Sequence, residues 1–175
     1  GEVSLKDLFG DRSQLIVYHF MFHPSWKEGC SSCSFVADNF DGVIPHLAAR
    51  DVALAVVSRA PIRKLNAFKK RMGWRFELVS SEDSDFNYDF EVSFENADGP
   101  VLYNYERTRF LAPEGPGASV FIKDKKGRIF HTYSTYARGL ENLIGTYSFL
   151  DLVPKGRDED KLPYSMEWVR HSDKY

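Results

Sequence analysis

Cysteine is scarce in this chain, with two residues among 175. That scarcity excludes a small secreted scaffold, which needs several disulfides in place of a core. Long apolar runs are missing as well, and none approaches the roughly 20 residues of a bilayer-spanning helix. Neither sign of charge dominates. With 23 Lys and Arg against 25 Asp and Glu the net charge is −2, which gives no electrostatic basis for nucleic acid as the main partner. The opening GEVSLKDLFGDR is polar and mixed in charge and does not read as a signal peptide. There is no phosphate-cradling glycine loop, HExxH helix, Gly-x-Ser-x-Gly turn or internal repeat. What remains is ample core material, 43% hydrophobic and 15% aromatic, in a length suited to one domain. The expectation is a soluble, cytoplasmic, single-domain protein with no cofactor and no membrane partner.

The order of periodic segments sets the expected fold. Leu15–Phe20 is a short apolar run with little polar alternation, as in a strand buried on both faces. Val36, Phe40, Val43 and Leu47 then form one stripe of a helix that Gly42 and Pro45 should bend. Val52–Ser58 reads as a second buried strand. Pro61 opens a helix with the stripe Ile62, Leu65, Phe68 and Met72, and Gly73 closes it. Arg63, Lys64, Lys69, Lys70 and Arg71 form its solvated face. Phe76–Ser80 reads as a third strand, and SVFIKDKKGRIFHTY predicts a hairpin turning at Asp124–Gly127. Leu140, Leu143, Ile144, Tyr147 and Leu150 mark a last helix, and Trp168 and Val169 anchor a polar tail. This order predicts an α/β fold, a thioredoxin-like three-layer sandwich with a mixed central sheet flanked by helices. The domain would cover residues 1–153, with an insertion at about 82–112 before the C-terminal hairpin, followed by a tail over 154–175.

Both cysteines fall in KEGCSSCSF, after the first strand and at the start of the next helix. A Cys-x-x-Cys beside a βαβ pattern points to a redox dithiol. Unpaired backbone N–H groups and the positive end of the helix dipole stabilise a thiolate there. Cys30 would attack a substrate disulfide, and Cys33, one turn on, would resolve the mixed disulfide. Lys27 would favour the thiolate and Glu28 oppose it. Two rival readings use the same residues. His19 and His23 give H-x3-H-x6-C-x2-C, in principle four zinc ligands, which would make this a non-catalytic metal- or partner-binding protein. A structural disulfide across so short a loop would contribute only about 2 kcal/mol. His23, on the loop before the pair, is the candidate for proton transfer. Trp26 suits a hydrophobic rim around the thiols.

The stretches LIVYHFMF, GCSSCSFVADNF, PHLAARDV, VVSRAPIRKLNAFKKRMGW, SDFNYDF and HTYSTYARGLENLIGTY closely resemble the bacterial domain-of-unknown-function family 899, over nearly the whole chain. The resemblance implies a thioredoxin-like dithiol–disulfide oxidoreductase acting on disulfide-containing proteins or small thiols, with an external reductant. It also implies an extra N-terminal, largely helical segment in full-length relatives, so that this chain would be part of a longer one. More distantly, VSLKDLFGDRSQLIVYHF and VVSRAPIRKLNAFKKRMGWRFELVS resemble the peroxiredoxin branch of the thioredoxin superfamily. That branch's motif has threonine four residues and cysteine seven residues after a proline. From Pro24 those positions hold Glu28 and Ser31, with Cys30 one residue early, so a thiol peroxidase is the weaker expectation. A thioredoxin-like site also expects a cis-proline before the hairpin strand. Here that place falls near Ala118 and Ser119, which become candidate substrate-binding residues, with Pro116 just upstream. A non-proline cis bond costs about 2.5–4 kcal/mol, so a trans bond or a rearranged loop is expected.

One acidic stretch invites a calcium reading. In DSDFNYDFEVSFE, Asp83, Asp85, Asn87 and Asp89 match the first ligand positions of an EF-hand loop, but Tyr88 replaces the glycine and Phe94 the glutamate. Phe86, Tyr88, Phe90, Val92 and Phe94 alternate, which predicts a half-buried strand or arm. Its aromatic side would cover the sheet or pair two copies as a homodimer. His46 and His131 read as packed or surface histidines.

Overall fold

The computed structural model describes residues 1–94 and 99–175. Its elements run in chain order as β1 (Gln14–His19), α1 (Ser31–Ala37), α2 (Phe40–Ala49), β2 (Val52–Ser58), α3 (Ile62–Met72), β3 (Glu77–Ser80) and a one-turn α4 (Phe86–Asp89). A small hairpin β4 (Val101–Tyr103) and β5 (Glu106–Thr108) follows, then β6 (Gly117–Lys123), β7 (Ile129–Tyr136) and α5 (Gly145–Leu150). The main sheet has the order β3-β2-β1-β6-β7. β1, β2 and β3 are parallel, while β6 and β7 run antiparallel to β1 and to each other, respectively. This is the mixed sheet that the sequence predicts.

β1 lies at the centre because both of its faces meet apolar layers. Leu15 and Val17 pack with Phe9, Ala55, Val57 and Phe121 on one side. Tyr18 packs on the other, with Phe20, Cys33, Val36, Leu65 and Phe68. A strand between two cores shows no polar alternation, which is why the run reads as continuously apolar. α3 begins just after Pro61 and ends on Gly73, whose φ of 73° a glycine adopts without strain. The β6–β7 turn closes at Asp124, where the Gly127 N–H donates to the Asp124 carbonyl at 2.9 Å. Among the described residues no helix is long and apolar enough to cross a membrane.

Three expectations are corrected. The helix after the cysteines is not one continuous piece; it breaks into α1 and α2 at Asp38–Asn39, and α2 runs on through Gly42 and Pro45. Asn39 Nδ2 donates to the carbonyls of Phe35 and Val36 at 2.8 and 3.1 Å, ending α1. Past the break the helix is rotated, so Val43 is 43% exposed instead of buried. The last helix is likewise divided, into a 3₁₀ segment Ala137–Leu143 and α5. The same Asn39 causes it, since its Oδ1 accepts the Gly145 N–H at 3.1 Å.

The aromatic alternation from Phe86 to Phe94 does not form a strand. Alternation at i, i+2 also contains i, i+4 pairs, and a helical turn uses them: the Phe86 and Phe90 rings lie 4.9 Å apart and stack on the His19 ring at 5.7 and 5.3 Å. This aromatic pair covers the sheet.

Asn39 therefore shapes two helix boundaries with one side chain. Asn39→Ala should lower stability by about 1–3 kcal/mol through its unpaired backbone groups, or several degrees in Tm for a chain of this size. An unchanged thermal midpoint would contradict that role.

Candidate active site

The site starts where β1 ends. The Cys30 N–H donates to the Met21 carbonyl at 3.0 Å, fixing the turn back toward the sheet. Gly29 is required there, because a Cβ would fall 2.6 Å from the Phe20 ring and 3.0 Å from Phe68. Cys30 then takes the cap position of α1 with φ −56° and ψ 131°, and its Sγ accepts the Cys33 N–H at 3.4 Å. A sulfur stands where serine or aspartate usually caps a helix.

The two thiols are free and differ in environment. Cys30 is partly exposed and Cys33 is buried. A hydrogen bond from the Cys33 thiol, helped by the Cys33 and Ser32 backbone N–H groups, outweighs burial and brings Cys30 down to about 7. Burial and the neighbouring Cys30 sulfur push Cys33 well up. One sulfur is thus poised as thiolate while the other keeps its proton. The buried Tyr18 hydroxyl faces Cys33 without closing a full hydrogen bond.

Both sulfurs open on a cavity of about 350 Å³ walled by Tyr18, Met21, Pro116 and Leu140, with Ser165 and Met166 of the tail closing one side. The tail is held there by Glu159, whose carboxylate accepts from the Tyr147 hydroxyl, the Met166 N–H and the Trp168 indole N–H at 2.8, 3.1 and 2.6 Å. His171, 6% exposed, donates from Nε2 to the Gly29 carbonyl at 2.8 Å. A larger recess of about 670 Å³ near Leu8, Pro45 and Ala53 holds neither cysteine.

Several sequence expectations need correction. Lys27 and Glu28 do not set the thiolate. Lys27 is exposed, and the Glu28 carboxylate binds Arg71 at 2.5 Å and Lys174 at 2.7 Å, which with His171 hold it down to about 2. His23 ties its Nδ1 to the Ser25 hydroxyl and N–H at 2.7 and 3.2 Å, and neither it nor Trp26 lines the cavity. The rim consists instead of Met21, Pro116 and Met166. Ala118 and Ser119 lie inside β6, 4% and 0% exposed, and neither lines the cavity. Ser119 bonds His19 Nε2 at 2.9 Å and Ser134 Oγ at 2.8 Å. Among the described residues no peptide bond is cis.

The zinc set fails on strand geometry. Successive side chains point to opposite faces, so Tyr18 joins the cysteine side and His19 the other, where burial pushes it down to about 3. Among the described residues no group of three His, Cys, Asp or Glu side chains could hold a metal.

Sequence reasoning missed Tyr18, Met166, His171 and above all Glu114. Glu114 is 1% exposed, with neither carboxylate oxygen hydrogen-bonded to a described residue. A lone acid within the proline- and glycine-rich LAPEGPGA was the available signal.

A parallel βαβ unit and an antiparallel hairpin joined in one mixed sheet define a thioredoxin-like fold. Solved structures of similar fold include peroxidoxin BcpB from Mycobacterium tuberculosis, at TM-score 0.54 and 13% identity over 81% of this chain and 79% of that one. A cysteine-to-serine mutant of PrxQ from Xylella fastidiosa has TM-score 0.52 and 15% identity over 84% and 82%. At such identities the likeness is one of fold. The whole chain, residues 1–175, matches the family described as Bacterial protein of unknown function (DUF899), and the chain belongs to that family. No curated protein matches it in sequence.

Thiolates alkylate and thiols do not, so the rate of Cys30 modification by iodoacetamide should rise with pH through a midpoint near 7. Cys33 should resist until the protein unfolds. Peptide mass spectrometry separates the two, and a Cys30 midpoint at or above 9 would contradict this account.

Proposed function

We propose that the protein is a dithiol–disulfide oxidoreductase with Cys30 as nucleophile and Cys33 as resolving thiol. The observation that carries this reading is the asymmetry of the pair: the Cys30 sulfur caps α1 at the mouth of a cavity, while Cys33 is buried and keeps its proton. The Cys30 thiolate attacks a substrate disulfide, displacing one substrate thiolate and forming a mixed disulfide. Cys33 then loses its proton and attacks the Cys30 sulfur, which releases the second substrate thiolate and leaves the Cys30–Cys33 disulfide. Two electrons pass to the substrate. An external thiol reductant restores the pair.

The cavity admits a small thiol disulfide or a narrow arm of a protein disulfide. A reducing compartment such as the cytoplasm suits a resting dithiol. The peroxidase alternative gains no support at Glu28, where the motif has threonine, because its carboxylate is held by Arg71 and Lys174.

The test uses an aromatic disulfide that releases a coloured thiolate. Cys33→Ser should release one equivalent and keep a mixed disulfide at Cys30. The unsubstituted protein should release two and close its own disulfide. Cys30→Ser should lose turnover by about 10³-fold or more. A trap at Cys33, or full turnover in Cys30→Ser, would overturn the assignment.

A further inference from the structure

Glu114 is the only buried carboxylate among the described residues, at 1% exposure. Its backbone is fixed by pairing with residues 92–94: the Phe94 N–H donates to the Pro113 carbonyl and the Gly115 N–H to the Val92 carbonyl, both at 3.0 Å. Gly115 is pressed against Tyr103, with room for no Cβ, and the Tyr103 hydroxyl donates to the Pro116 carbonyl at 2.7 Å. Glu114 therefore sits rigidly two residues behind Pro116, which forms the cavity wall beside the cysteines.

Three groups act on its carboxyl. Arg59, on the loop after β2, favours the charged form, although it forms no ion pair with a described residue and lies over the Tyr88 ring at 4.7 Å. The Phe22 backbone N–H also favours it, with geometry short of a hydrogen bond. Cys30, at the head of α1, opposes it when ionised. Burial outweighs the favourable pair and pushes the carboxyl up to about 7. An isolated buried carboxylate is costly, and two like charges close together in a dry site are costlier.

We propose that Glu114 and Cys30 share a single negative charge, which resides on the Cys30 sulfur in the reduced protein and moves to the Glu114 carboxylate when the cysteines form a disulfide. The redox half of this proposal rests on the dithiol reading above; the charge sharing does not. The balance closes. A Cys30 thiolate, a Cys33 thiol, a protonated Glu114 and one substrate disulfide become the Cys30–Cys33 disulfide, an ionised Glu114 and two substrate thiols. Two electrons reach the substrate sulfurs. One proton comes from Cys33 and one from Glu114, and the net charge of −1 is unchanged. The buried acid supplies the proton that a thiolate nucleophile cannot.

The experiment is a pH titration of the Glu114 carboxyl by carbon-13 NMR, on reduced protein, oxidised protein and Cys30→Ser. Glu114→Gln assigns the resonance. Removing the thiolate, by oxidation or by substitution, should lower the Glu114 midpoint by about one pH unit. In Glu114→Gln, Cys30 alkylation should follow one titration step with a lower midpoint. An identical Glu114 midpoint in reduced and Cys30→Ser protein would overturn the charge sharing. A pair that cannot be oxidised would defeat the dithiol reading instead, and the Cys30→Ser comparison would still decide the coupling.

Discussion

The hydrogen bonds that end on Cys30 Sγ are the constraint on which the rest of the site depends. A helix start leaves backbone N–H groups without partners, and here the Cys33 N–H donates to the Cys30 sulfur at 3.4 Å. The same sulfur is favoured as thiolate by a hydrogen bond from the Cys33 thiol, which keeps its proton. Thiolate formation at Cys30 and completion of the α1 cap are therefore one interaction. Cys33 is the donor in both, which ties the reactivity of the first thiol to the protonation of the second.

Everything around that sulfur holds α1 in place. Gly29 lets the chain pass between Phe20 and Phe68, and Met21 fixes the Cys30 N–H. The tail closes the cavity through Met166 and returns His171 to the Gly29 carbonyl. Asn39 ends α1 and, by taking the Gly145 N–H, ties the far end of that helix to the element that carries the opposite wall of the cavity. The charge cluster of Glu28, Arg71, Asp173 and Lys174 neutralises the nearest acid on the loop, so its field is not available to oppose the thiolate.

What the sequence makes legible here is whatever depends on local chemistry. β2 falls at Val52–Ser58 as its apolar run predicts, and Gly73 and Asp124–Gly127 stop and turn the chain where their backbone preferences require. The cysteine pair and its helix start are legible for the same reason. The misreadings all involve a partner distant in sequence. Asn39 breaks two helices because it reaches Gly145, and Phe86 and Phe90 coil because His19 offers them a surface. His23 attracts notice by proximity to the cysteines, while Tyr18 joins them in the cavity wall from another segment. An apolar run gives no indication of which of its members faces a thiol.

The central claim is that the folded site makes Cys30 and Cys33 a reversible dithiol–disulfide couple. Its most direct test is the reduction potential of the pair, measured by equilibrating the metal-free protein in glutathione buffers and counting free thiols. A reversible two-electron transition between about −120 and −270 mV, the range of working oxidoreductases, is the predicted result. Two cysteines that remain thiols across the whole series would contradict it.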